Sequence, residues 1–551
     1  MRHRIDARAL AALLCLFPAA SRAQWPANGV AITTATTTAA APAACADGSG
    51  GVFAVWSETR GTSQDILAGR VTGSGVATWG PNGVVVCDAT FDQLNPSVCR
   101  DGNGGAIVAW RDQRSGVFDI YAQRLDANGA PQWTAGGVAV CVVVNNQYNP
   151  VLVSDDAGGA IVIWYDYRAL NYDIYAQRLD ADGTPLWTAG GIAIYAGAHN
   201  QYNPMAVADG SGGAVVAWTD IRNGNADIFA RRVTGAGTMQ WTPSGVPLCT
   251  NAIDQLDPVL VNDGTGGAIV AWRDARNGNW DIFAQRADNA GTTLWTANGV
   301  AVCSATADQL HPAVACDGAG GAVVAWDDAR GLSADIYAQR LSAGGVAQWA
   351  ADGVAVCNAP FAQTRPTLVC DGAGNAIVAW EDRRSVTADI FAQRIGPAGA
   401  GAWTANGIAL CSAAGEQTVP LASPDGAGGI DVVWADTRGG NVDLYANRVG
   451  NSGGTPTGVG GPAGAPGLVV SRGYPNPFAR AVRFDIEAGS QRVTMEVFDV
   501  AGRRVAVREA RAGGILFDAR DNNGRLLPAG VYLCRFTAGG ATQTRKIVVT
   551  R

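Results

Sequence analysis

Runs of five apolar residues, each introduced by paired small residues and followed by a polar, turn-forming segment, punctuate this chain. Between Gly104 and Arg124 the run is Ala106-Ile107-Val108-Ala109-Trp110. Arg111-Asp112-Gln113-Arg114 follows, and then Asp119-Ile120-Tyr121-Ala122-Gln123-Arg124. A run this short and this uniformly apolar predicts a strand covered on both faces, and the segment rich in β-formers predicts its partner. The tryptophan closing the run recurs at Trp56, Trp110, Trp164, Trp218, Trp272, Trp326, Trp380 and Trp434, a constant step of 54 residues. A fixed period of that length, one supersecondary unit per copy, marks a propeller, solenoid or array.

Each period divides into four strand-like runs. In the second copy Pro96 to Cys99 is the first, and Asp101-Gly102-Asn103-Gly104-Gly105 is a tight turn. Ala106 to Trp110 and Asp119 to Leu125 follow, and the fourth run includes Trp133 and ends at Cys141. Four antiparallel strands per period describe a propeller blade. The fourth-run tryptophan stands at Trp25, Trp79, Trp133, Trp187, Trp241, Trp295, Trp349 and Trp403, and no copy of it follows Arg448. The last copy therefore lacks a fourth strand, while Trp25 to Ile32 is a fourth strand with no copy before it. Joining them closes a ring and removes bare sheet edges; a solenoid would need caps and leaves the N-terminal half-unit unexplained. The pattern predicts an all-β chain whose residues 24–450 form an eight-bladed β-propeller closed by the N-terminal strand.

Composition adds a location. Of 551 residues 72 are glycine and only 16% are charged, which suits many short buried strands joined by tight turns. The formal charge of −7 argues against a nucleic-acid partner, which needs a basic face. Residues 1–23 read as a signal peptide: Arg2 and Arg4, an apolar stretch from Ala9 to Ala20, then Ser21-Arg22-Ala23. No other apolar run is long enough to span a membrane. The expected protein is exported, extracellular or on the outer cell surface.

Chemistry is sparse. Six cysteines share one repeat phase (Cys87, Cys141, Cys249, Cys303, Cys357 and Cys411), with Thr33 and Tyr195 in the same phase, so the position reads as packing. Cys99, Cys316 and Cys370 could pair with the cysteine 12 or 13 residues earlier; the spacing leaves this open. Beyond residue 23 only His199 and His311 are histidines, there is no C-x-x-C pair, and no G-x-S-x-G elbow, so no metal, cofactor or catalytic group is expected.

Two polar positions recur in every copy: an arginine after the second strand and an aspartate opening the third. They are expected to pair across the hairpin as structural ion pairs, as in Arg114 with Asp119, Arg168 with Asp173 and Arg276 with Asp281; a ring of repeated ligand sites is the functional reading of the same residues. A unique site should lie where the copies differ. The residue before the first-strand proline reads Ala41, Asn95, Asn149, Asn203, Asp257, His311, Arg365 and Val419. The first strand of a blade is innermost, so Asp257, His311 and Arg365 from consecutive blades form the candidate ligand site at the channel mouth. Asp257 is expected there to accept hydrogen bonds or to hold the His311 tautomer.

Residues 451–466 are a Gly/Pro-rich linker, and 467–551 form a tail of alternating strand pattern. The tail carries Tyr474-Pro475-Asn476-Pro477-Phe478, Val497-Phe498-Asp499-Val500-Ala501-Gly502-Arg503-Arg504-Val505, Asp521-Asn522-Asn523-Gly524-Arg525, Ala529-Gly530-Val531-Tyr532 and Lys546-Ile547-Val548-Val549. In order and spacing it resembles the Ig-like C-terminal domains of bacterial exported proteins, related to the flagellar hook-capping FlgD Ig-like domain and to type IX secretion sorting domains. It departs from them at Phe517-Asp518-Ala519, where members often carry Trp-Asp-Gly. The resemblance implies an Ig-like β-sandwich serving export or surface attachment, with secretion machinery as a partner. The expected function is a secreted or surface-displayed binding or scaffold protein with a protein or glycan partner. The alternatives are a propeller lectin with repeated glycan sites and an extracellular propeller hydrolase.

Overall fold

The computed structural model describes residues 25–453 except 156 and 386, and 469–550 except 471–480, 485, 488–491, 501, 511–514 and 539–540. The expected signal peptide (1–23), most of the linker and the segment 474–478 lie outside the described residues. The chain divides into two compact units, Met1–Val459 and Gly460–Arg551.

The first unit is a β-propeller built from repeated four-stranded antiparallel sheets. In the second of them the strands Gln93–Arg100, Ala106–Asp112, Asp119–Leu125 and Val138–Cys141 pair in chain order. The second strand is uniformly apolar because both of its faces are covered. Val108 and Trp110 join Phe53, Val55 and Trp79 of the preceding sheet, while Ile107 and Ala109 join Trp164 and Leu179 of the next. The core is thus a succession of layers between neighbouring sheets.

Trp133, expected in the fourth strand, stands in the turn before it. There its Nε1 donates to the Ala181 carbonyl of the next sheet at 2.9 Å, and Trp79 does the same to Ala127 at 3.1 Å. Gly137 (φ 91°) ends that turn, where a Cβ would lie 2.5 Å from the Trp110 ring, so both the backbone conformation and the space require glycine.

The last sheet takes its outer strand from the start of the chain. Val30–Thr33 pairs antiparallel with Asp443–Val449, with Val30 opposite Ala446. Trp25, Ile32 and Trp56 share a buried cluster with Val433, Leu444 and Ala446. The innermost strand of the first sheet, Ala39–Ala46, lies against Gln417–Pro424 of the last.

Each innermost strand carries an irregularity at one place. In the second sheet the register slips between Leu94 and Ser97, and Asn95 adopts φ 51°. The same left-handed conformation holds for Ala41, Asn149, Asn203, Asp257, His311, Arg365 and Val419. This bulge turns the residue before each proline off the ladder.

In the second unit Arg504–Ala510, Val493–Phe498, Gly530–Ala538 and Ala541–Val549 form one antiparallel sheet, and Val482–Phe484 pairs with Ile515–Phe517. Phe484 meets Phe536 edge-on at 4.8 Å within a core that includes Met495, Val497 and Ile547. Ala519, where the resembled domains often have glycine, sits at φ 54°.

Candidate functional site

The repeated polar residues are the first to place. The arginine does not pair with the aspartate that opens the third strand. Arg114 binds Asp112 two residues before it, Nε to Oδ1 at 2.8 Å and Nη2 to Oδ2 at 2.6 Å. Arg168 holds Asp166 and Arg276 holds Asp274 in the same fork. The expected pairs Arg114–Asp119, Arg168–Asp173 and Arg276–Asp281 are thus corrected.

The reason is local. Asp112 already turns the chain by accepting the Arg114 backbone N–H, so the guanidinium needs only to fold back onto it. The Asp112 carboxylate, wholly buried, also takes Trp110 Nε1 at 2.8 Å, and the guanidinium covers the Tyr121 ring at 3.9 Å. The Asp119 carboxylate instead accepts from Ser115, Asp173 from Asn171 and Asp281 from Asn277 and Asn279. Burial pushes all three carboxyls above their ordinary range. The first sheet has Glu58 where the others have aspartate, and among the described residues only there does the expected geometry hold, Arg60 to Asp65 at 3.7 Å.

The in-phase cysteines belong to the same knot. Cys87 Sγ lies 3.1 Å from Arg114 Nη2, and burial pushes its thiol up to about 12. Among the described residues no cysteine forms a disulfide, so Cys99, Cys316 and Cys370 are not bridged to the cysteines before them.

The variable positions lie elsewhere, at one mouth of the ring. A cavity of about 470 Å³ is lined by Asn95, Asn149, Asn203 and Asp257, each with its following proline, and by Met205. His311 and Arg365 occupy the same bulge in the next two sheets but are not part of its lining. Each of the three candidates is held by the residue that follows the tryptophan of its own sheet. Asp257 Oδ2 is 2.7 Å from Arg273 Nε, His311 Nδ1 is 3.0 Å from Asp327, and Arg365 Nε is 3.7 Å from Glu381.

The imidazole is therefore oriented by Asp327 and not by Asp257, because the bulge aims each side chain along its own sheet toward the second strand. The hydrogen bond to Asp327 raises the His311 pKa, opposed by burial and by the charges of Arg365 and Arg273. Sequence reasoning missed Arg273, Asp327 and Glu381. The signal was present: each stands 16 residues after its partner with complementary chemistry, and the position after the tryptophan varies through Ser57, Arg111, Tyr165, Thr219 and Ala435.

The same face carries an aromatic group in the second and third sheets. Tyr148 stacks on Tyr165 at 5.3 Å, Tyr172 meets both edge-on, and Phe118 lies 6.4 Å from Tyr148. Arg111 covers the Phe118 ring at 4.6 Å. All five side chains are half-buried.

Residues 472–550 match the family described as the secretion system C-terminal sorting domain. This type IX secretion signal marks the chain for export to the cell surface or the extracellular space. No curated protein sequence matches the chain. Among solved structures, similarity extends to PorZ, a surface component of the type IX secretion system of Porphyromonas gingivalis (12% identity over 94% of this chain and 81% of that one, TM-score 0.29). It also extends to a polysaccharide lyase of the ulvan lyase family PL25 (13%, 71% and 97%, TM-score 0.43). A third is the α-L-arabinanase of Penicillium chrysogenum (12%, 55% and 93%, TM-score 0.31).

Proposed function

We propose that this chain is a secreted or surface-displayed binding protein. Residues 24–450 act as an eight-bladed propeller that presents a ligand site at one channel mouth, and 467–551 act as an Ig-like domain that directs export. The tail's two-layer strand pairing and the bond from Tyr532 Oη to the Pro528 carbonyl (2.9 Å), a corner that fastens many Ig-like sandwiches, support the Ig-like reading.

One observation carries the functional part. The aspartates that follow the tryptophans are wholly buried and spent on the arginines two residues on, whereas the groups that differ from blade to blade stand half-open at the mouth. A fully buried carboxylate already holding a tryptophan and an arginine has no capacity left for a ligand. That removes the support for one glycan site per blade. Asp257, His311 and Arg365 with Arg273, Asp327 and Glu381 instead put two opposite-charge pairs and a histidine–aspartate pair on consecutive blades, a pattern that favours one ligand in one orientation.

The test uses the secreted full-length chain to capture surface partners and glycans. It is repeated with Asp257→Asn, His311→Gln and Arg365→Gln combined, which remove charge while keeping polar atoms. The expected result is a single-site ligand whose affinity falls more than tenfold. An unchanged affinity, or a stoichiometry near one ligand per blade, overturns the reading.

A further inference from the structure

Arg111 and Arg273 are the same residue of two blades, each following its tryptophan and each lying over an aromatic ring of its own sheet. The distance is 4.6 Å to Phe118 in one case and 4.4 Å to Trp280 in the other. They differ in what answers their charge. Arg273 has Asp257, whose carboxylate oxygen is 2.7 Å from its Nε. At the position of Asp257 the second blade carries Asn95, and among the described residues the Arg111 guanidinium has neither a hydrogen bond nor an ion pair. The Nε of each arginine is buried without a hydrogen-bond partner, so the difference is the carboxylate that only Arg273 has beside it; Arg111 as a whole is half-buried. Burial lowers its pKa, with Tyr165, Tyr148 and Asp92 pulling the other way; a guanidinium remains charged in any case.

A half-buried cation with no carboxylate bonded to it is costly, and its surroundings show what would relieve it. The Tyr148 ring, 5.8 Å away, belongs to the next blade and stacks on Tyr165, so the guanidinium lies between flat faces from two blades. Among the described residues the hydroxyls of Tyr148, Tyr165 and Tyr172 have no partner within the protein. Asn95 and Asn149, the latter next to Tyr148 in the chain, line the cavity of about 470 Å³, while Arg111 and the aromatic rings stand outside its lining. Aromatic faces with free hydroxyls beside them suit a ring with an apolar face and a polar rim, and the Asp257–Arg273 pair shows that a carboxylate fits this guanidinium's setting.

We propose that Arg111, with Asn95, Phe118, Tyr148 and Tyr165, is a subsite for the carboxylate of an acidic sugar, a uronate residue whose ring stacks on the tyrosines. The proposal rests on the binding reading above and names its substrate class. In the fifth blade the protein supplies that carboxylate itself, which closes the equivalent place to a ligand.

The experiment is calorimetric titration of the full-length secreted protein with trigalacturonate, its neutral methyl ester and a penta-glutamate peptide. Trigalacturonate is expected to bind at one site, weaken as salt rises, and bind at least tenfold more tightly than the ester. Arg111→Gln is expected to cost at least tenfold. Asn95→Asp, which rebuilds the fifth-blade pair in the second blade, should lose binding to the same extent while leaving the melting temperature unchanged or raised, so a folding defect cannot mimic the result.

Equal binding of the ester, no binding of trigalacturonate, or full binding by both variants overturns the subsite. Arg111-dependent binding of the glutamate peptide without trigalacturonate replaces the sugar by an acidic peptide and also overturns it. If surface partners still depend on the charges of Asp257, His311 and Arg365, the subsite fails alone and the binding reading stands.

Discussion

At the scale of single residues, this protein separates groups that build the ring from groups that vary on it. Asp112, Asp166 and Asp274 are wholly buried and each satisfies a tryptophan and an arginine. His311 is the one imidazole among the described variable residues at the mouth. Because its folded pKa is raised by the hydrogen bond to Asp327, its contribution to stability is fully present below about pH 6.5 and is lost as pH rises through the raised value. An NMR titration should place the His311 pKa above that of an unstructured histidine, and Asp327→Asn should bring it down. A His311 pKa at or below the reference value, unmoved by Asp327→Asn, would show that the contact does not hold in solution. The side chain is half-exposed, so the effect on overall stability is expected to be small.

At the scale of the element, the strand Val30–Thr33 is the decisive one. It is only four residues long, yet it covers the edge of Asp443–Val449 and brings Trp25 and Ile32 into the cluster that joins the first and last sheets. Removing residues 24–33 strips a buried tryptophan and isoleucine, each worth about 2 to 5 kcal/mol when truncated in a core, and bares a strand edge that can pair between molecules. The truncated chain should melt at markedly lower temperature and aggregate, as read by calorimetry and light scattering. Melting indistinguishable from the intact chain would contradict the pairing.

For the whole molecule the seam is reinforced by charge. In the second sheet Arg124 binds Asp101 at the turn of its own sheet and the Ala181 carbonyl of the next. In the last sheet Arg448 makes the same reach across the seam, to the Gly73 and Gly50 carbonyls of the first sheet, and lies over Trp25. It alone has a second carboxylate opposite it, Asp431, at 2.6 and 2.8 Å, where corresponding positions are Ile107, Ile161, Ile269 and Ile377. Burial pushes the Asp431 carboxyl up to about 7 against the pull of Arg448.

A carboxyl raised on folding contributes stability at low pH that is lost as pH climbs from about 4 to 7. Asp431→Ile should therefore be neutral or stabilising, with its advantage over the natural protein growing across that window, since Arg448 keeps Asp425 at 3.9 Å. Arg448→Met should cost about 3 to 5 kcal/mol because it leaves Asp431 buried and unpaired. A destabilised Asp431→Ile protein at pH 7 would show that the pair favours closure on balance.

What the sequence determined by itself is whatever repeats. The 54-residue step, the apolar second strand and the unmatched Trp25 suffice for the all-β repeat and for the source of the closing strand. Burial on both faces demands uniform apolarity, and the edges of a ring must be paired. The sorting tail is likewise legible, as a linear pattern matched over residues 472–550. Only the tertiary structure decided which polar groups meet. The sequence puts Asp112 and Asp119 equally within reach of Arg114, and the turn geometry and the indole of Trp110 choose Asp112. It leaves Asp257, His311 and Arg365 as neighbours in a list, and the left-handed bulge before each proline turns them to partners on their own second strands. That Arg111 lacks an answering charge shows only when blades are compared in space, because a missing partner has no signature along the chain.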